Sequence, residues 1–127
     1  MKTHQEIFDT VAHHLLTQNA KSEIPYPNLK DMTLCRYRGD KGLKCAIGVL
    51  IPDELYKEEY ENQTVSVLLL ELHFPFHQIG IDISDSRTAV LLSRLQVVHD
   101  AYEVDVWSTQ LLEIAQDYNL NTAVLGV

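Results

Sequence analysis

The chain has 127 residues and a mass of 14.5 kDa, room for one domain with a real core and little else. Hydrophobic residues make up 46% and charged residues 22%, which excludes a disordered chain. Eighteen acids against ten bases leave a net charge of -8 and a pI near 5.1, which argues against direct electrostatic binding of nucleic acid or anionic membrane.

Thr3-His4-Gln5-Glu6 has the form of a capping box. Behind it Ile7, Phe8, Val11, Ala12, Leu15 and Leu16 recur at helical spacing, and Asn19 is the stop. Residues 20–32 carry Pro25 and Pro27 and read as a connecting loop. Thr33–Arg38 and Leu43–Cys45 flank Gly39-Asp40-Lys41-Gly42, which predicts a β-hairpin. A turn centred on Asp40 sets Cys35 opposite Cys45, whereas a four-residue turn shifts the pairing by one. Ala46–Ile51 is apolar, with Gly48 permitting close approach of another backbone.

Pro52-Asp53-Glu54-Leu55 reads as a helix start. Val65–Leu72 fits a short helix capped by Thr64 or Ser66, and a buried strand nearly as well. His73-Phe74-Pro75-Phe76-His77 is irregular at its proline, and the alternation of Ile79, Ile81 and Ile83 suggests a short strand. Ser84 or Asp85 caps a helix carrying Leu91, Leu92, Leu95, Val98 and Tyr102. Asp105 caps the last, with Trp107, Leu111, Ile114, Ala115 and Tyr118 on one face. The expected fold is a mainly helical α+β single domain, residues 1–127, of about four helices with one small β-hairpin near residues 33–45.

Charge divides along the chain. Residues 1–52 hold seven bases and five acids; residues 53–127 hold thirteen acids and three bases. Asp53, Glu54, Glu58, Glu59 and Glu61 crowd together around Lys57, while the hairpin carries Arg36, Arg38, Lys41 and Lys44. A solvated, self-repelling surface accounts for the acids; the sharper reading is that Glu58, Glu59 and Glu61 imitate nucleic-acid phosphates on a basic partner. Tyr37 among the four bases suggests a protruding, cationic, aromatic tip suited to docking, while Tyr26, Tyr56, Tyr60 and Trp107 fit the core edge or an interface.

No apolar segment spans a bilayer and Met1–Phe8 lacks the apolar stretch of a signal peptide, so a cytoplasmic location without membrane partners is expected. Cys35 and Cys45 then read as reduced thiols packed behind the hairpin. They also offer half of a zinc site that His73, His77 and His99 could complete, though zinc sites usually bring ligands as close-spaced pairs. A nucleophilic thiol needs a lowered pKa and a base in reach, and no histidine is near either cysteine in sequence. His13 and His14 lie away from the apolar stripe of the first helix and should face solvent. His99 and Asp100 are adjacent on a helix, where neighbours do not face each other. Glu71, inside an apolar run, is the one mild candidate for a carboxyl in an apolar pocket. No nucleophile elbow, phosphate-cradling loop or dinucleotide fingerprint is present.

Cys35-Arg36-Tyr37-Arg38, Gly42-Leu43-Lys44-Cys45-Ala46-Ile47-Gly48 and Leu50-Ile51-Pro52-Asp53, with Gln5–Leu16 before and Leu95-Gln96-Val97-Val98-His99-Asp100 after, resemble a pattern of small phage and prophage proteins of uncharacterised function. The resemblance covers most of the chain and implies a mobile-element origin, where small acidic proteins often act by binding host or defence machinery. The expected function is therefore protein binding, as a modulator or inhibitor acting in the host cytoplasm. One alternative is a metal- or thiol-dependent enzyme built on Cys35, Cys45 and one histidine. Another is a small structural or assembly component, which would form a homo-oligomer.

Overall fold

The structure is a computed structural model and describes residues 1–27 and 31–127. Most of its regular structure is four helices: α1 (His4–Gln18), α2 (Val65–Leu70), α3 (Ser86–Ala101) and α4 (Trp107–Asp117). β1 (Glu23–Pro25) and β2 (Thr33–Cys35) form a two-stranded antiparallel hairpin, and single 3-10 turns join the remainder. The mainly helical α+β class stands.

Local chemistry sets the helix ends. The Thr3 hydroxyl accepts from the Glu6 N–H at 3.1 Å while the Glu6 carboxylate accepts from the Thr3 N–H at 2.9 Å, closing the capping box. Asn19 ends α1 in the left-handed region at φ 51°, where a short polar side chain is tolerated. Thr64 accepts from the Val67 N–H at 3.2 Å, so the Val65–Leu72 run starts as a helix rather than a strand. Asp85 likewise caps α3 through the Arg87 N–H at 3.0 Å. Asp105 does not cap α4: it sits inside a 3-10 turn, Val104–Val106, that runs straight into the helix.

Ile7, Phe8, Val11, Ala12 and Leu15 of α1 are fully buried and pack toward α3 and α4, against Leu91, Leu92 and Leu95, and Trp107, Leu111 and Ala115, likewise buried. Burial of each large aliphatic or aromatic side chain contributes about 1.5–3 kcal/mol, so this three-helix contact carries the fold. Phe74, Phe76 and Tyr60 add edge-to-face ring contacts below α2.

The strand pairing differs from the sequence expectation. Thr33–Cys35 pairs with Glu23–Pro25, Cys35 opposite Glu23, and not with Leu43–Cys45. Residues ahead of Pro25 are already extended by the proline's sterics, so the loop supplies the partner strand; residues 28–30 of that loop lie outside the described residues. The Gly39–Gly42 turn is real but closes a single bridge, Arg38 to Lys44, centred on Lys41 at φ 61°. Cys45 therefore lies beside Tyr37, its N–H directed at the Tyr37 carbonyl at 3.4 Å, and both cysteines are free thiols. The two cysteines do not face each other across a strand pair, since Cys35 is paired with Glu23. Gly48 performs the close approach expected of it, since a Cβ there would collide with the Tyr37 carbonyl.

Two further expectations fail for geometric reasons. Ile79–Ile83 is no strand: a 3-10 turn over Phe76–Ile79 ends at Gly80, φ 79°, and drops Ile81 into the core. The Pro52 segment makes one 3-10 turn, Asp53–Leu55, followed by another, Glu58–Tyr60, rather than a helix.

Candidate functional site

The basic hairpin and the acidic segment meet each other. Arg36 Nη2 donates to Glu58 Oε1 at 2.7 Å and lies 3.4 Å from Glu61 Oε2. Arg38 Nη1 donates to Asp53 at 2.5 Å and Nη2 to the Ile51 carbonyl at 2.8 Å, with its guanidinium 4.5 Å above the Tyr56 ring. The Arg36 hydrogen bond holds the Glu58 carboxyl below its usual range. Glu61 is buried and accepts from the backbone N–H groups of Tyr37 and Arg38, at 2.8 and 3.2 Å, and from the Tyr56 hydroxyl at 2.6 Å. It is a structural anion that fixes the hairpin, not part of a displayed acidic patch.

Tyr37 is not a protruding tip. It is 4% exposed, and its hydroxyl donates to the Gln63 carbonyl at 2.5 Å. Lys41 and Glu59 remain exposed. The expected positive end is thus largely neutralised by the carboxylates that were expected to form a separate negative face.

Among the described residues, the side chains of Cys35, His99 and Asp100 converge, their ligand-capable atoms all within 4.8 Å of one another. Cys45, His73 and His77 join no such cluster, and His73 and His77 are exposed. His99 is fully buried. Its Nδ1 lies 2.7 Å from Asp100 Oδ1, so the adjacent carboxylate does reach the ring, through the side chain rather than the helix face. Its Nε2 lies 2.8 Å from the backbone nitrogen of Ser22. A backbone N–H only donates, so Nε2 is the acceptor and the ring proton sits on Nδ1, directed at Asp100. A metal on Nδ1 would force the proton to Nε2, against the Ser22 donor. Asp100 also accepts from Gln96 Nε2 at 3.0 and 3.1 Å. The cluster is wired as a hydrogen-bonded lock between the hairpin and the end of α3.

The thiols fit that reading. Burial, then the charge of Asp100, pushes the Cys35 thiol up to about 11, and burial pushes Cys45 up to about 12. His99 has no lone pair left to act as base toward Cys35. Glu71 is exposed and lies in no apolar pocket. His14 is half-buried rather than solvent-facing, its Nε2 2.8 Å from the Lys44 carbonyl.

One open feature, of about 1110 Å³, lies over α1 between His13, Val49 and Val124; another is a trough along α3. One concavity of about 380 Å³ is lined by Ser66, Val90, Ser93, Val97, Tyr102 and Glu113, among others; a second, of about 530 Å³, shares Ser66, Ser93 and Val97 and reaches Cys35 and Asp100. Val90 and Val97 are 52% and 49% exposed. Both lie outside the buried stripe that the sequence predicts for α3. Their seven-residue spacing, on a strip about 100° round the helix from Leu91 and Val98, was the available signal.

Comparison with known protein families, with curated proteins and with solved structures returns no match for this chain.

Proposed function

We propose that the chain is a non-enzymatic protein-binding factor, a modulator or inhibitor of host machinery carried by a mobile element and acting in the host cytoplasm. The mobile-element part rests on the sequence resemblance. The binding part is supported by one contrast. His99 and Glu61, the buried polar groups of the two internal clusters, are held by partners within the chain, whereas α3 and α4 leave apolar side chains and carboxylates facing outward. A protein partner fits such a surface better than nucleic acid, which the acidic balance repels. The phosphate-imitating form of this reading loses Glu58 and Glu61, which are committed to Arg36.

The test is affinity capture from bacterial extract by the full chain at low and high salt, followed by reconstitution with the captured protein in pure form. A stoichiometric complex that weakens with salt supports the proposal; absence of any complex that survives purification overturns it.

A second reading, a metal- or thiol-dependent enzyme, is favoured only by the convergence of Cys35, His99 and Asp100. Metal content and thiol titration of protein purified without chelator decide it. One zinc per chain with Cys35 protected would favour the enzyme, and no zinc with Cys35 titrating as a free thiol would retire it.

A further inference from the structure

We infer that the trough over α3 is the docking groove for a basic amphipathic helix of a partner protein. This deepens the protein-binding reading and rests on it. α3 is apolar on two sides. Leu91, Leu92, Leu95 and Val98 face the core, while Val90 and Val97 stand half-exposed on the outer face with Ser93 between them. Tyr102, 39% exposed, closes one end. A helix that packs on one side only should be polar on the other, so this second stripe is unpartnered.

The charges lining the trough choose the occupant. Four charged side chains line the two concavities: Arg36, Arg94, Asp100 and Glu113. Both cations are spent. Arg94 Nη1 sits 2.8 Å from Asp117 Oδ2, and Arg36 is held by Glu58 and Glu61. Among the described residues neither Asp100 nor Glu113 has a lysine or arginine partner. Beyond Arg94 the chain has no lysine or arginine at all. The groove therefore presents aliphatic floor and net negative rim, which selects a ligand with aliphatic anchors flanked by Lys or Arg.

The dimensions suit a helix. From Val90 to Tyr102 the stripe runs about 18 Å along α3, the length of about three helical turns. Anchors at i, i+3 or i+4 and i+7 on a partner would meet Val90, Ser93 and Val97 as ridges meet a groove. A second copy of this chain fits less well, because a two-fold pairing brings together two troughs whose rims carry the same negative sign.

The probe is a fluorescein-labelled peptide of about 16 residues with leucine at helical spacing and lysine elsewhere. A peptide of the same composition with its leucines scattered and a peptide with glutamate in place of lysine serve as comparisons. In anisotropy titrations with the full chain, only the first peptide should bind saturably. Val90→Ser with Val97→Ser should weaken it about tenfold or more, and Glu113→Gln should flatten the salt dependence. Both valines are half-exposed, so the double variant should stay folded, which its urea transition checks. Equal binding of the scattered peptide, or an unchanged affinity in the double variant, overturns the groove. Self-association of the wild-type chain that the double variant abolishes overturns it in favour of a second copy. Capture of the same protein partner by the double variant sinks the groove but leaves protein binding standing; failure of the wild-type chain to hold any partner sinks the protein-binding reading itself.

Discussion

The backbone N–H of Ser22 donates to Nε2 of His99 at 2.8 Å, joining two buried residues 77 positions apart. That contact ties the strand pair to α3 and fixes the tautomer that turns the other ring nitrogen toward Asp100. His99→Ala leaves a buried donor unpaired and opens space beside Trp107, whose ring lies 5.6 Å away. It should cost about 2–4 kcal/mol, read from the urea midpoint at constant slope. A variant as stable as the wild type would contradict the lock.

Glu61 and Glu59 are two residues apart and should behave as opposites. Glu61 is buried under two backbone N–H groups, the Tyr56 hydroxyl and Arg36, so Glu61→Lys puts a cation against a cation and strips three donors of their acceptor. That should prevent folding at ordinary temperature. Glu59→Lys, on an exposed side chain, should stay within about 0.5 kcal/mol of wild type. Circular dichroism melting of the two proteins is the measurement. Similar melts would mean that Glu61 is not the anchor assigned to it.

Both thiols should be sluggish. With Cys35 raised to about 11 and Cys45 to about 12, each stays protonated near neutral pH, and the thiolate is the reactive form. In dithionitrobenzoate assays Cys35 should react about tenfold or more slowly than a free thiol, and Cys45 only after unfolding. The sign of the linkage is that these groups stabilise the fold below the unfolded thiol pKa, and that stabilisation is lost as alkali ionises the unfolded chain first. A fast-reacting Cys35 in the native protein would reopen thiol chemistry.

His14 sets the acid side. Burial lowers its pKa from the usual 6.5, more than the Lys44 carbonyl raises it. The folded state thus prefers neutral imidazole, and the unfolded chain takes the proton first as pH falls. Stability contributed here is present above about pH 6.5 and declines below it. His14→Gln, which can still donate to the Lys44 carbonyl, should reduce the loss of stability between about pH 7.5 and about pH 5.5. An unchanged slope would assign the acid sensitivity to other groups.

Features that depend on neighbours in sequence were legible: the Thr3–Glu6 capping box, the Asn19 stop, the Thr64 and Asp85 caps and the apolar stripes of α1, α3 and α4. Features decided by distant partners were not. Thr33–Cys35 had two possible mates, and the choice of Glu23–Pro25 depends on Ser22 reaching His99, Arg36 and Leu43. The two charge clusters were visible, but nothing local says that Arg36 folds back onto Glu58 and Glu61. Asp105 looked like a cap because it precedes an amphipathic run, yet the Trp107 indole reaching the Tyr102 carbonyl at 3.0 Å holds that corner instead.

Mapping the basic leucine–lysine peptide onto the full chain by backbone-amide NMR tests the central claim most directly. The docking account predicts shifts confined to the outer face of α3 and its rims, at Ser66, Val90, Ser93, Val97, Tyr102 and Glu113, with α1 silent. Shifts spread over every exposed carboxylate, or centred on the Arg36–Glu58 cluster, would contradict it.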